Sequence, residues 1–243
     1  MITVVIPCSP IPSHPDTEIL EQTAESVRFH LPESEIVLTF DGVRPQQEDR
    51  RSDYEEFIRR ALWLADHKWG NVLPLIFDEH LHQTGMMRAA LPHINTPLVM
   101  YVESDTPVVT DEPIHWASVT HNLTDGTANL VRFHHEAHIP AEHKHMMHGE
   151  VLGLTRTSQW SQRPHVARTD YYQRIMGAHF TPGAKSFIED KMHGVCSEAF
   201  ILRGMDGWAE HKLCIYTPEG NIKRSYHLDG RAGGAKFEEK QVF

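Results

Sequence analysis

The sequence contains few cysteines and no cysteine pair with the spacing of a metal or redox motif. Its 243 residues include three, Cys8, Cys196 and Cys214, which lie far apart in the chain. An odd and dispersed set argues against a disulfide framework and against a zinc site built from thiolates. We therefore expect a reducing compartment, which places the protein in the cytoplasm.

Long apolar segments are also absent. No apolar run approaches the roughly 20 residues that a membrane-spanning helix needs. The opening residues MITVVIPCSP have no basic region before their apolar run, which ends at Pro7. We therefore expect neither a signal peptide nor a membrane span.

Three motifs that bind phosphates or activate a nucleophile are missing. The segment after the first predicted strand, PCSPIPSHP, contains no glycine, whereas a dinucleotide-binding loop needs G-x-G-x-x-G there. Neither the P-loop pattern G-x-x-x-x-G-K-[ST] nor the nucleophile motif G-x-S-x-G occurs in the chain. A glycine loop at the first helix therefore does not hold the phosphates of a nucleotide.

Positive charge is scarce. The chain has 23 Lys and Arg against 33 Asp and Glu, a formal net charge of −10, which disfavours binding to the backbone of duplex nucleic acid. Residues 158–175 differ because they mix aromatic and basic side chains, namely Trp160, Tyr171, Tyr172, Arg163, Arg168 and Arg174. This mixture suits a sugar, an anionic acceptor or a modified DNA base. It is equally typical of a partly buried surface segment.

The sequence does contain a regular alternation of strands and helices over residues 1–110. Apolar runs alternate with amphipathic segments, the runs at 3–7, 34–42, 71–79 and 97–105 and the amphipathic segments at 18–31, 54–68 and 84–94. This order predicts βαβ units. Continuous apolar strands are typical of a parallel sheet covered by helices on both faces. We therefore predict an α/β fold with a mostly parallel, Rossmann-like sheet.

The pattern loosens after residue 110. It predicts helices at 114–123, 171–176 and 185–201, and strands at 128–134, 150–161, 212–218 and 222–230. There is no internal repeat and no linker between autonomous units. We expect one domain over residues 1–243 whose second half, 111–243, is irregular.

Polar residues follow the predicted strands, namely Pro7, Cys8 and Ser9, then Asp41, then Glu103, Ser104 and Asp105. The carboxyl ends of parallel strands form the ligand-binding edge of such sheets, so these residues should lie along one edge. Glu103 and Asp105 are oxygen donors on the same side of an extended segment, and such donors suit Mg²⁺ or Mn²⁺ together with substrate phosphates. The alternative is a solvated turn.

The ordered set of strand ends resembles the nucleotide-sugar glycosyltransferases of the GT-A type, especially the inverting group of the family-two kind. A first strand ends in VVIP at residues 4–7, a second ends at Asp41, and YVESD resembles an Asp-x-Asp motif with Glu103 in the first place. The resemblance covers residues 1–110. It implies a GT-A-like fold, a nucleoside-diphosphate sugar as donor, an unknown acceptor, and Mn²⁺ or Mg²⁺.

The resemblance also implies roles for individual residues. Asp41 would contact the base, Asp105 would bind the metal, and Glu103 would lie near the ribose or the metal. Arg88 could fill the place of a family arginine, or it could be a surface charge. The residues that would contact the nucleotide sugar are Pro7, Cys8, Ser9, Asp41, Arg88, Glu103 and Ser104.

The second half offers a base and a further metal ligand by the same resemblance. Inverting transfer needs a general base for the acceptor hydroxyl, and the family pair Glu-Asp matches Glu189 and Asp190, with Asp190 preferred. The alternative is a helix first turn, where acidic residues are favoured. His227 would be a late metal ligand. A glycine-rich basic tail with Arg231 and Lys236 could close over the diphosphate as a lid, and the alternative is a frayed C-terminus.

Residues 133–150 are rich in histidine, with His134, His135, His138, His143, His145 and His148. Zinc binding is one hypothesis, but H-E-x-x-H is absent, and a loop that helps to bind the acceptor fits better. We therefore predict a metal-dependent inverting glycosyltransferase. The alternatives are an inactive nucleotide-sugar-binding module, a nucleotidyltransferase on a related sheet, and a histidine-rich metal-binding protein.

Overall fold

The computed structural model describes residues 1–228, which form a nine-stranded sheet with helices on both faces. The strands are β1 (Ile2–Cys8), β2 (Ile36–Phe40), β3 (Val72–Ile76), β4 (Leu98–Tyr101), β5 (Leu130–Arg132), β6 (Met147–Val151), β7 (Leu154–Thr157), β8 (His165–Arg168) and β9 (Leu213–Tyr216). The helices are α1 (Glu18–His30), α2 (Arg51–Leu64), α3 (His82–Ala90), α4 (Trp116–Thr124), α5 (Thr169–His179), α6 (Ile188–Arg203) and α7 (Met205–His211). Within these residues no helix is long and apolar enough to cross a membrane.

The strand order is β3-β2-β1-β4-β8-β5-β9-β7-β6. Strands β1 to β4 pair in parallel, and this confirms the α/β fold predicted from the continuous apolar runs. Strand β8 lies between β4 and β5 and runs antiparallel to both. Strand β5 pairs in parallel with β9. Strands β5 and β9 therefore run in the same direction as β1 to β4, and all of these end at one edge.

Two apolar layers sandwich the sheet because successive residues of a strand point to opposite faces. Val4 and Ile6 pack in the layer that includes α1 and α2 residues, whereas Val5 packs in the layer that includes α3, α5 and α6 residues. Every residue of β1 is buried. The chain therefore covers both faces of its central strands, as their uninterrupted apolar sequence predicts.

The second half differs from its predicted pattern, since β8 and α7 have no predicted counterpart and two predicted strands take another form. The predicted strand 150–161 is a hairpin of β6 and β7, because Leu152 and Gly153 adopt φ values of 50° and 77° and reverse the chain. The predicted strand at 222–230 forms only isolated bridges within its described part, at Lys223 and Ser225. The predicted helix 114–123 is confirmed as α4, and 185–201 is confirmed as α6 with a start at Ile188.

Candidate active site

The candidate active site lies at the edge where β1, β2, β4 and β5 end. Cys8 closes β1, Asp41 follows β2, and Glu103 and Asp105 follow β4. His134 follows β5 at the same edge because β5 is parallel to these strands. The parallel sheet thus brings together segments from distant parts of the chain.

Asp41 is 1% exposed, and backbone donors surround its carboxylate. Its Oδ1 accepts the N–H groups of Leu81 at 2.6 Å and Gly42 at 3.0 Å. Its Oδ2 accepts the N–H of His82 at 3.1 Å and lies 2.7 Å from Nδ1 of His80. Asp41 therefore holds the loop that begins α3, and its contact with a base stays a prediction.

We expect Asp41→Ala to lower the free energy of unfolding by about 2–4 kcal/mol, because the N–H groups of Leu81 and His82 lose a charged acceptor. Urea unfolding followed by circular dichroism measures this loss. Asp41→Asn is the control, since it keeps one carbonyl acceptor and should lose less. A loss below about 1 kcal/mol for the alanine variant would contradict the assigned role.

Glu103 is partly buried and hydrogen-bonded at the end of β4. Gln83 Nε2 donates to Glu103 Oε1 at 2.5 Å. Burial raises the pKa of Glu103 to about 8, with further increases from the charges of Asp105 and Glu189, although the Gln83 hydrogen bond opposes the shift. Glu103 therefore keeps its proton at neutral pH, and three acidic side chains converge at this point of the edge.

His227 lies next to Asp105, with 3.4 Å between its Nε2 and Asp105 Oδ2. The backbone sets this position, since the N–H of Leu228 donates to the carbonyl of Asp105 at 2.7 Å and the N–H of Tyr226 donates to that of Pro107 at 3.2 Å. Two of the three residues predicted as metal ligands, Asp105 and His227, are thus neighbours, and the third, Glu103, is hydrogen-bonded by Gln83. The predicted lid residues, Arg231 and Lys236, lie outside the described residues.

Asp105 and His227 suit a divalent cation that arrives with phosphates. No group of three or more His, Cys, Asp or Glu side chains in residues 1–228 is arranged to hold a metal ion. Mn²⁺ and Mg²⁺ take few protein ligands when substrate phosphates and water supply the others. One carboxylate and one imidazole therefore fit this kind of cation, while Glu103 is engaged by Gln83.

The end of β1 is mostly buried. Pro7 and Cys8 are buried and Ser9 is exposed. Burial, followed by the charge of Asp105, raises the pKa of the Cys8 thiol, although a hydrogen bond with Ser104 opposes the shift. The carbonyl of Ser104 accepts the hydroxyl of Thr23 at 2.8 Å. Cys8 and Ser104 therefore lie beneath the surface of the candidate site. Of the three predicted residues at the end of β1, Ser9 is the one that solvent reaches.

Arg88 binds the end of helix α5 and not the strand ends where the donor was predicted to bind. Its Nη2 donates to the carbonyl oxygens of Met176 at 3.0 Å and Phe180 at 2.8 Å. These carbonyls belong to the C-terminal end of α5, where a helix leaves its last acceptors without partners. The guanidinium thus closes a helix end, and the structure does not bring it to the strand ends.

The acidic pair Glu189 and Asp190 opens α6. Glu189 Oε2 accepts the N–H of Gln162 at 2.7 Å. The negative charge of Glu189 also contributes to the raised pKa of Glu103. Asp190 is exposed on the same turn. The structure thus brings Glu189 to the acidic residues of the edge and turns Asp190 to solvent.

The histidine-rich segment is dispersed. His134 is buried beside Glu136, with 3.0 Å between its Nε2 and Glu136 Oε2, and Arg163 binds the same carboxylate at 2.5 and 2.7 Å. His135 Nδ1 lies 2.7 Å from the hydroxyl of Ser225. The ring of His148 stacks on Phe200. In the part of the chain that is described, these histidines form no metal cluster.

Sequence reasoning missed three polar residues at this edge, Gln83, Arg132 and Gln162. Each lies outside any motif, and each becomes significant through a contact with a residue far along the chain. No local pattern signals such contacts.

Comparison with known proteins identifies the fold. The sequence matches no family model and no curated protein. The structure is similar to S. aureus TarS 1-349, with a TM-score of 0.58 and 12% identity over 93% of this chain and 60% of that one. TarS 1-349 in complex with UDP-GlcNAc is matched with a TM-score of 0.57.

Two further matches contain manganese. Mannosyltransferase PcManGT from Pyrobaculum calidifontis, in complex with GDP-Man and Mn²⁺, has a TM-score of 0.55 and 13% identity over 90% of this chain and 57% of its own. GalNAc-T7 with UDP, GalNAc and Mn²⁺ has a TM-score of 0.56 and 13% identity over 96% and 44%. The chain spans 60% or less of the length of each of these proteins.

These comparisons define the structural class. The chain has the GT-A fold of nucleotide-sugar glycosyltransferases. The resemblance inferred from the strand ends over residues 1–110 is therefore confirmed at the level of the fold.

Proposed function

We propose that the protein is a metal-dependent, inverting glycosyltransferase that moves a sugar from a nucleoside-diphosphate sugar to an acceptor hydroxyl. The observation that carries the proposal is the pairing of Asp105 with His227, 3.4 Å apart, at the carboxyl edge of a GT-A sheet. Similar structures hold UDP-GlcNAc, or GDP-Man with Mn²⁺, on this fold.

In this proposal residues 1–110 bind the donor and residues 111–243 supply the acceptor side of a single domain. Ser9 contacts the nucleoside, and Pro7, Cys8 and Ser104 shape the floor beneath it. Asp41 holds the adjoining loop through its backbone contacts. Arg88 is left out of the donor site because α5 occupies it.

Asp105 and His227 would hold Mn²⁺ or Mg²⁺. Such a cation, when bound, neutralises the charge of the diphosphate leaving group. Glu103 faces the sugar nucleotide beside these two ligands, and the Gln83 amide, which donates to Glu103 Oε1, fixes the direction of its carboxyl group.

Asp190 acts as the general base. A base must reach the acceptor hydroxyl as the acceptor arrives from solvent, and the Asp190 carboxylate is exposed on the first turn of α6. Glu189 is held by the N–H of Gln162 and keeps this turn in place. Attack by the deprotonated hydroxyl in one displacement inverts the anomeric carbon.

Thermal unfolding with a panel of nucleoside diphosphates, with and without Mn²⁺, tests donor binding. A nucleotide at a hundred times its Kd should stabilise the protein by about 2.7 kcal/mol, and Mn²⁺ should strengthen the effect. Asp105→Ala should abolish the manganese-dependent part. Asp66→Ala is the matched control because its side chain is 82% exposed and it lies near the start of β3, away from the site.

Turnover separates the proposal from its alternatives. Release of the nucleoside diphosphate from a nucleotide sugar supports a glycosyltransferase. Binding without release would indicate an inactive module, and pyrophosphate formation from a nucleoside triphosphate would indicate a nucleotidyltransferase.

The three free, buried cysteines fit a reducing cytoplasm.

A further inference from the structure

Arg132 carries a buried positive charge that no carboxylate contacts among residues 1–228. It is 2% exposed and ends β5. Its Nη2 donates to Gln159 Oε1 at 2.7 Å and its Nη1 donates to the Gln159 carbonyl at 3.3 Å, while its Nε has no hydrogen-bond partner there. The nearby carboxylate of Glu136 is bound by Arg163 instead.

This arrangement is unfavourable for stability. Burial, followed by the charge of Arg163, lowers the pKa of Arg132 to about 9, and the charges of Glu189 and Glu136 oppose the shift. The guanidinium is therefore still charged at neutral pH. A buried charge without a paired counter-ion destabilises a fold, so a role in function is the better explanation for its presence.

A seam of hydrogen bonds joins the 158–162 segment, which Arg132 holds through Gln159, to helix α6, whose first turn carries the candidate base Asp190. Three residues of α6 at successive turns, Glu189, His193 and Ser197, bond to the 158–162 segment. Glu189 Oε2 accepts the N–H of Gln162 at 2.7 Å. His193 Nδ1 donates to the Trp160 carbonyl at 3.3 Å and the Ser197 hydroxyl to the Ser158 carbonyl at 3.4 Å.

Arg132 holds this segment from the side of the sheet. Its guanidinium binds both the side chain and the backbone of Gln159, which lies between the seam residues Ser158 and Trp160. The planar fork of an arginine can make two directed bonds of this kind, which the single ammonium of a lysine cannot reproduce. The segment is thus fixed between the end of β5 and the first turn of α6.

We propose that Arg132 is a positioning residue for sugar transfer, which holds the 158–162 segment and thereby the turn of α6 that presents Asp190. The inference rests on the proposed function, because its consequence is a reaction rate. The 158–162 segment transmits the effect, and Arg132 itself touches neither donor nor acceptor.

Arg132→Met tests the proposal because methionine has a similar length and no charge. We expect an unchanged or raised Tm, since apolar replacement of a buried charge is often neutral or stabilising. The kcat for nucleoside-diphosphate release should fall at least tenfold with unchanged donor affinity. Amide hydrogen exchange should become faster at residues 188–192. Arg132→Lys should restore only part of the rate.

Arg28→Met is the matched control. Arg28 lies in α1 and donates to the backbone carbonyls of Ser34 and Gly70, which precede β2 and β3 at the opposite edge, so its loss should leave kcat and the exchange of residues 188–192 unchanged. This variant shows whether removing any arginine that holds backbone carbonyls has the same effect.

Two results would overturn the positioning role. One is an Arg132→Met protein with wild-type exchange at residues 188–192. The other is a large fall in Tm with faster exchange throughout the chain, which would make Arg132 a purely structural residue. Should the wild-type protein release no nucleoside diphosphate from any nucleotide sugar, the proposed function fails, and the exchange measurement still decides whether Arg132 orders α6.

Discussion

Replacement of Asp190 by Asn is expected to lower the kcat of sugar transfer by about 10²- to 10⁴-fold, the usual contribution of a general base. The amide cannot take a proton from the acceptor hydroxyl, yet it has nearly the same shape as the carboxylate. Asp190 is exposed on the surface of α6, so the fold should tolerate the change. The affinity for the nucleotide sugar should stay close to that of the wild type, because the donor binds at the strand ends.

Steady-state rates of nucleoside-diphosphate release measure this effect. Glu198→Gln is the matched control, since Glu198 is an exposed carboxylate on the same helix. Glu189→Gln tests the division of roles, because its side-chain carbonyl can still accept the N–H of Gln162. A large loss in Glu189→Gln together with a normal kcat in Asp190→Asn would transfer the role of base to Glu189.

Acidification is expected to destabilise the fold steeply between about pH 6.5 and pH 4. Nine histidines have lowered pKa values in the folded protein, and the four largest shifts give about 3 for His14 and His135 and about 4 for His165 and His211. Burial is the largest cause for each. Their ordinary pKa is about 6.5, so in this range the unfolded chain binds protons that the folded protein excludes.

The sign follows from proton uptake on unfolding. The stabilising contribution of a neutral histidine is complete above pH 6.5 and is lost as the pH falls toward its folded pKa. Glu103 acts in the opposite direction because its folded pKa is raised to about 8. The balance is an uptake of about three protons near pH 5, equivalent to a loss of about 4 kcal/mol of unfolding free energy per pH unit.

Two of these histidines show why the folded protein excludes the proton. His165 Nδ1 donates to the carbonyl of Arg163 at 2.8 Å, so its Nε2 accepts the hydroxyl of Tyr172 at 2.6 Å. Both nitrogens are thereby engaged in the neutral form. His14 stacks on the rings of Phe57 and Tyr54, at centroid distances of 3.8 and 5.3 Å, in a site 8% exposed.

Urea unfolding at pH 7, 6 and 5 measures the slope. His14→Phe keeps an aromatic ring on Phe57 and removes one titrating group, so its slope should be smaller by about 1.4 kcal/mol per pH unit. His121→Gln is the control, because His121 is 72% exposed and its slope should equal that of the wild type. Equal stability of the wild-type protein at pH 6.5 and pH 5 would contradict the prediction.

Much of the first half follows from local pattern. The apolar runs that end near Pro7, Phe40 and Tyr101 predict parallel strands, and the polar residues beyond them predict a ligand edge. The structure has β1, β2 and β4 at these places. The second half is less predictable because a short strand such as β8 is defined by its partners, and a four-residue strand has little periodicity of its own.

Within the candidate site, the residue types came from the sequence and most of the contacts did not. A resemblance nominated Asp105, Glu189, Asp190 and His227, and the structure then gave each of them a neighbour or an exposure. It placed Arg88 at the end of α5, because helix carbonyls there lack other donors. It also showed that the Asp41 carboxylate accepts the N–H of Leu81 in the loop before α3, a contact that no motif describes.

The sequence by itself therefore determined three features. These are the α/β fold class, the polar residues that follow strands of the first half, and the acidic character of the site. Periodicity and residue type are local properties, and these features depend on them. Only the tertiary structure decided that His227 meets Asp105, that burial raises the pKa of Glu103 to about 8, and that Arg132 lies buried with no carboxylate contact within residues 1–228. Distances across the sheet and removal from water depend on segments far apart in the chain, which no local pattern records.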